Sequence, residues 1–113
     1  MEVLTTALLG VPMLKVIGDV DHLSALALDK AVQDALGAHG LRLLIDLSEC
    51  RYLDSGGLSV LLFAFRQVRR NGWIGVIAPS RNIIRLFEIV GLTGDPSFRV
   101  FAHSEEARVA VGS

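Results

Sequence analysis

The sequence predicts an α/β fold with a mixed central sheet of about five strands and about four helices. Three observations predict it. Short apolar runs alternate with segments of helical periodicity, residues 41–47 are almost entirely apolar, and two β-prone runs flank a Gly-Val-Pro stretch near the start. Because no repeat or linker interrupts the chain, we expect a single domain over residues 1–113.

The first elements are two strands and a helix. Strands are predicted at residues 3–9 and 13–17, joined as an antiparallel hairpin around residues 10–12. Ser24 is expected to cap the helix, and Gly37 and Gly40 to close it. Its buried face is predicted to comprise Leu28, Ala31, Val32, Ala35 and Leu36. The apolar run at 41–47 then predicts a central strand that helices cover on both faces.

The remaining elements continue the alternation. A second helix is predicted after residue 54, with an apolar stripe that packs on the sheet: Leu58, Leu61, Leu62, Phe65 and Val68. A strand at 73–78 precedes a third helix, capped by Ser80 and ended by Gly91. Its apolar face is predicted to carry Ile83, Ile84, Phe87 and Val90. A strand at 98–101 and a helix from about residue 104 complete the domain.

Composition excludes several classes of function. Eleven Lys and Arg residues stand against 12 Asp and Glu residues, and this balance disfavours direct binding of nucleic acid. The single Cys50 excludes an internal disulfide, and no His or Cys spacing indicates a metal site or a cofactor. The uncharged runs are too short to span a bilayer, and the first residues lack the positive region of a signal peptide. We therefore expect a soluble cytoplasmic protein that binds no metal or cofactor.

The turn Asp54-Ser55-Gly56-Gly57 is the strongest candidate for a functional site. It joins a buried strand to a helix, so its backbone N–H groups suit an anion or an acidic group of a partner. Two interpretations follow, a protein-binding surface or a sensor of small anions or nucleotides. The absence of a neighbouring Lys and of a P-loop pattern disfavours the sensor. No nucleophile or paired-carboxylate arrangement indicates an enzyme.

Several ordered motifs resemble the STAS domain family, in particular the small stand-alone anti-sigma factor antagonists of bacteria. The signature turn of the family is similar to Leu53-Asp54-Ser55-Gly56-Gly57-Leu58. Further resemblances lie at residues 18–21, 44–48, 72–73 and 86–92. The resemblance covers nearly the whole chain and implies a STAS-like sandwich fold.

The resemblance also implies a mechanism. In the family, an antagonist binds an anti-sigma factor that is also a serine-protein kinase, and so releases a sigma factor. Phosphorylation at the signature turn breaks the complex. Here the usual phospho-acceptor position is Gly56, which has no hydroxyl. The protein is therefore expected to bind constitutively or to be modified elsewhere, first at Ser55 and less at Ser59. For Ser55 itself, the preferred interpretation is the helix N-cap rather than a phosphorylation site.

The predicted partner surface combines this turn, the neighbouring loop and the second helix. A projection at about 100° per residue places Val60 and Phe63 beside arginines and away from the apolar stripe. The alternative is that a neighbouring helix covers Phe63. The predicted partner-binding residues are Asp21, Asp54, Ser55, Gly56, Gly57, Ser59, Val60 and Phe63. Whether the chain also forms a homodimer is left open.

Overall fold

A five-stranded mixed sheet forms the centre of the structure, a computed structural model that describes residues 1–39 and 41–112. The strands lie side by side in chain order. They are β1 (Glu2–Leu8), β2 (Val11–Ile17), β3 (Arg42–Glu49), β4 (Trp73–Ile77) and β5 (Phe98–Phe101). The β1–β2 pair is antiparallel and the other three pairs are parallel. The predicted mixed sheet is confirmed.

Four helices cover the sheet, three on one face and one on the other. They are α1 (Ala25–His39), α2 (Ser55–Val68), α3 (Arg81–Ile89) and α4 (Ser104–Gly112). The larger core joins Leu28 of α1, Leu61 of α2 and Phe87 of α3 to one face of the sheet. The smaller core joins Ala107 of α4 to Trp73 on the opposite face. The expected helices on both faces are present, divided unequally.

The middle strand β3 has the predicted environment. Leu43, Ile45 and Leu47 belong to the larger core, whereas Leu44 belongs to the smaller one. Successive side chains of a strand point to opposite faces, so a strand covered on both faces is apolar throughout. The half-buried Asp46 accepts a hydrogen bond from the backbone N–H of Ser48 at 2.9 Å.

The hairpin turn lies one residue earlier than predicted. Leu8 pairs with Val11, so the turn consists of Leu9 and Gly10, with φ of 51° and 85°. Both angles are positive, as in a type I′ turn, whose twist matches the twist of the strands. Pro12 lies inside β2, opposite Ala7. The prediction failed because Leu is unfavourable at a left-handed turn position.

The buried face of α2 only partly matches the predicted stripe: Leu61, Phe65 and Val68 are buried, whereas Leu58 and Leu62 are half-buried. Its buried residues are Gly57, Val60, Leu61, Ala64, Phe65 and Val68. This face is rotated by roughly 60° from the predicted stripe, given about 100° per residue. The helix α1 packs beside α2, and the amides of Gln33 and Gln67 exchange hydrogen bonds of 2.7 and 3.0 Å across the two helices. Val60 is only 9% exposed, so the prediction that it lies on the exposed face of α2 is wrong. Phe63 is 58% exposed, as projected.

The predicted end of α3 at Gly91 is confirmed, whereas Val90 and the predicted end of α1 differ from the predictions. Gly91 ends α3 in the left-handed conformation, φ 81°, and turns the chain so that Leu92 is buried. Val90 is consequently 41% exposed rather than part of the buried face. Gly37 lies inside α1 rather than closing it. The predicted closing residue Gly40 lies outside the described residues.

Leu9→Asn is expected to be more stable than Leu9→Ala by about 0.5–1 kcal/mol. Both changes remove the leucine side chain, but Asn tolerates the left-handed conformation that this turn position requires. Urea denaturation of the two variants measures the difference. Equal stabilities would show that the positive φ of Leu9 carries no strain.

Candidate partner-binding site

The loops that follow β2 and β3 are joined by backbone hydrogen bonds. The N–H of Val20 donates to the carbonyl of Tyr52 at 3.0 Å, and the N–H of Asp54 donates to the carbonyl of Val20 at 3.0 Å. Val20 and Leu53, both fully buried, form an isolated parallel bridge. The pairing of β2 with β3 thus continues beyond the strands and holds the two loops in fixed register.

A third loop, between β4 and α3, is attached to the second. The hydroxyl of Ser80 donates to the carbonyl of Arg51 at 3.2 Å. The same oxygen accepts from the N–H of Ile83 at 3.3 Å and caps α3, as predicted. The N–H of Arg51 in turn donates to a carboxylate oxygen of Asp19 at 3.3 Å. We refer to residues 18–24, 50–54 and 78–80 together as the loop edge.

Asp54, not Ser55, caps the helix α2. Its Oδ1 accepts from the N–H of Gly56 at 2.9 Å and from the N–H of Gly57 at 3.1 Å. The prediction of Ser55 as the cap is wrong because Asp54 is the last residue with an extended backbone. Since a carboxylate already occupies these two donors, the turn is a poor binding site for a small anion.

Ser55 is the first residue of α2, and its side chain is exposed. Its hydroxyl makes no hydrogen bond to any residue within 1–39 or 41–112. One turn further, the hydroxyl of Ser59 donates to the carbonyl of Ser55 at 2.8 Å. Of the two serines at the start of the helix, Ser55 therefore has the hydroxyl that is not engaged.

The two glycines of the turn have different surroundings. A Cβ on Gly57 would lie 2.5 Å from Cδ1 of Leu53 and 2.8 Å from Cγ1 of Val20, closer than real contacts allow. A Cβ on Gly56 would lie 3.2 Å from Oδ1 of Asp54 and 3.4 Å from the Cβ of Ala25. Gly57 thus lets α2 approach the loop edge and is buried, while its role as a contact residue stays a prediction.

Asp21 caps the turn that leads into α1, whereas Ser24, the predicted cap, directly precedes the helix. Oδ1 of Asp21 accepts from the N–H of Ser24 at 2.8 Å, and the hydroxyl of Ser24 accepts from the N–H of Asp21 at 2.9 Å. This reciprocal pair resembles a capping box. The backbone N–H of Ser24 and then its hydroxyl, which donates to Oδ1 at 2.9 Å, lower the pKa of Asp21. Ser24 remains part of the cap, but as the third residue after it.

The thiol of Cys50 lies beneath the loop edge, 2% exposed. It donates to the carbonyl of Tyr52 at 3.3 Å, and burial raises its pKa. The thiol therefore stays protonated near neutral pH and is a poor nucleophile. Among the residues that the structure describes, no group of three or more His, Cys, Asp or Glu side chains could hold a metal ion.

Exposed apolar side chains lie on the loop edge and on the two helices that begin there. Leu23 is 80% exposed, Leu26 75%, Tyr52 54% and Phe63 58%. Sequence reasoning found Phe63 but missed the other three. Leu26 could have been found, because it projects about 160° from Leu28 on α1, opposite the apolar stripe. Aromatic and large apolar side chains exposed together are typical of a protein-binding surface.

The structure brings most of the predicted site residues to one region. Asp21, Asp54, Ser55 and Gly56 lie at the start of α1 and α2, whereas Gly57 and Val60 lie in the buried face below. The accessible surface at this edge therefore combines two capping carboxylates, an open hydroxyl and exposed apolar side chains. No described helix is long and apolar enough to cross a membrane.

This fold and this turn define a STAS domain. The family model described as "Mlab, STAS domain" matches residues 4–100, so the chain belongs to the STAS domain family.

Relatives within the family span most of the chain. The chain is 30% identical over 102 residues to the anti-sigma-F factor antagonist RsfB of Mycobacterium tuberculosis, covering 90% of this chain and 82% of that protein. It is 37% identical over 79 residues to the anti-sigma-B factor antagonist of Listeria monocytogenes, covering 69% of each. The crystal structure of an anti-sigma factor antagonist from Mycobacterium paratuberculosis superposes with a TM-score of 0.86 at 28% identity, over 99% of this chain and 94% of that one.

Gly57→Ala is expected to destabilise the fold by about 1–3 kcal/mol, because the added methyl overlaps two buried side chains. Gly56→Ala is the matched control. It adds the same methyl to the same turn, but its nearest neighbours lie at 3.2 Å or more. Thermal and urea unfolding compare the two. A loss of stability at Gly56 equal to the loss at Gly57 would contradict the proposed packing.

The lowered pKa of Asp21 predicts how the α1 cap responds to acid. A carboxyl whose pKa falls on folding stabilises the folded state above its unfolded pKa, about 3.9, and loses this contribution as the pH falls through the folded value. Titration of the Asp21 carboxyl by NMR should therefore give a value below that of a free Asp. Ser24→Ala should raise it only in part, since the backbone N–H remains. Titration of wild-type Asp21 at the free value would exclude this cap.

Proposed function

We propose that this protein is a non-enzymatic anti-sigma factor antagonist. It binds an anti-sigma factor that also acts as a serine-protein kinase, and so releases a sigma factor in the bacterial cytoplasm. The observation that carries the proposal is the match to antagonists of this kind over most of the chain, at 30% identity to RsfB.

The binding surface in this proposal is the accessible part of the loop edge with the outer face of α2. Hydrogen bonds hold its loops in place before the partner arrives, which lowers the entropy lost on binding. Phe63 and Leu26 supply exposed apolar area, and Asp21 and Asp54 supply fixed negative charge. A partner surface with apolar pockets and flanking basic residues is complementary to this arrangement.

Ser55 is the proposed site of regulation, because Gly56 offers no hydroxyl. The side chain of Ser55 is exposed, and its hydroxyl is not engaged by Asp54, which caps the helix alone. A phosphate there would add a charge of about −1.5 to −2 beside the carboxylate of Asp54. Repulsion and desolvation at the centre of the surface would then separate the complex.

Phe63→Ala is expected to weaken binding to the anti-sigma factor of the same organism roughly tenfold or more, because it removes an exposed aromatic anchor. Ile89→Ala is the matched control, since Ile89 is 73% exposed but lies at the far end of α3. Calorimetry with purified partners measures both. If neither wild type nor control binds any anti-sigma factor of the organism, with or without nucleotide, the proposed function is wrong.

Incubation with the kinase should place phosphate on Ser55, detected by mass spectrometry of its peptide. Ser55→Asp and Gly56→Asp should each weaken binding by adding charge, whereas Ser55→Ala should bind as wild type does and stay unmodified. Wild-type protein that binds but carries no phosphate at Ser55 or Ser59 would instead be a constitutive antagonist. That result would reject the regulatory site and leave the binding function in place.

A further inference from the structure

The strand β1 is an open edge of the sheet. Among the described residues it pairs only with β2, and after Glu2 at its start it contains neither a charged residue nor a proline. Edge strands of soluble proteins usually carry such residues, because an unprotected edge adds a further strand. The opposite edge strand, β5, is shorter and carries Arg99.

The turn geometry fixes which backbone groups of β1 are open. A two-residue turn makes Leu8 and Val11 a hydrogen-bonded pair, so alternate residues of β1 bond to β2. The N–H and C=O groups of Val3, Thr5 and Ala7 therefore point away from the sheet. Their side chains project to the face that α1 covers, because Val3 packs against the larger core.

A groove of about 550 Å³ runs between this edge and α1. Its wall on α1 is made by small side chains one turn apart, Ala27, Ala31 and Ala35, which permit close approach of another helix. Lys30 and Asp34 also line it and pair with each other at 3.0 Å. Both are well exposed, with 79% and 68% of the side chain accessible.

We propose that this edge is the interface of a homodimer in which β1 pairs with β1 of a second copy. A two-fold axis normal to the sheet makes the strands antiparallel and keeps α1 of both copies on one face. With Thr5 on the axis, Thr5 faces Thr5 and Val3 faces Ala7, so all the open groups named above find partners. The two sheets become one continuous sheet.

The charges on α1 are self-complementary under the same symmetry. The two copies of α1 run antiparallel across the axis, so Lys30 of one protomer faces the side of the other helix that carries Asp34. One positive and one negative residue per protomer attract in this arrangement, whereas two like residues would repel. The turn at residues 54–57 follows β3, two strands from the interface, and stays open. The dimer does not depend on the proposed function.

Sedimentation equilibrium of the full chain should show a concentration-dependent dimer. Thr5→Pro removes one outward N–H per protomer and should weaken the dimer roughly tenfold or more, since two symmetric hydrogen bonds are lost. Because proline can also disturb the strand itself, Thr5→Lys is a second variant. It should weaken the dimer by placing two positive charges on the axis. Val100→Lys, on the other edge strand, is the control and should leave the dimer unchanged. Circular dichroism checks that each variant is folded.

A charge exchange tests the contact between helices separately. Lys30→Asp should weaken the dimer, and the double variant Lys30→Asp, Asp34→Lys should restore it. A chain that is monomeric at every concentration would overturn the proposal, as would a dimer that both Thr5 variants leave unchanged. A dimer weakened by Val100→Lys would locate the interface at β5 and overturn it equally.

Discussion

The backbone hydrogen bonds that continue the β2–β3 pairing past the strands are the constraint on which the rest of the structure depends. They fix Val20 against Leu53, and both side chains become the floor on which α2 begins. The helix can approach that floor only because residue 57 has no side chain. With α2 fixed there, α1 packs along its side, and the shared face buries Val60. These few hydrogen bonds therefore determine the position of two helices and the surface that the helices leave exposed.

The three helices on the larger core all begin at the loop edge, so the positive ends of their dipoles meet there. Each start has its own polar cap, from Asp21, Asp54 and Ser80. Two of the caps are carboxylates, which neutralise the dipoles internally rather than leaving them for a ligand. In the proposed complex, recognition depends on exposed side chains such as Phe63, and any added negative charge lies near carboxylates already in place.

The sequence predicted what depends on local pattern. The apolar run of β3, the cap at Ser80 and the order of strands and helices all follow from periodicity and turn chemistry. The caps before α1 and α2 did not follow from local pattern. At Asp54-Ser55 two side chains could accept the capping hydrogen bonds, and the choice depends on the residue at which the chain leaves the extended conformation. The hydrogen bonds between the loops after β2 and β3, which are tertiary contacts, determine that residue. The burial of Val60 likewise depends on α1, a neighbour that helical projection does not include.

The contrast between adjacent glycines has an evolutionary consequence. At position 57 any side chain would overlap buried carbon atoms, so the fold tolerates few substitutions there. At position 56 the nearest atoms are a capping carboxylate and the methyl of Ala25, which leave room for a small residue after a slight shift. A lineage could gain or lose a hydroxyl at position 56 by a single codon change without rebuilding the fold. In the proposed function, regulation by phosphate and binding to a partner therefore depend on different positions and can change separately.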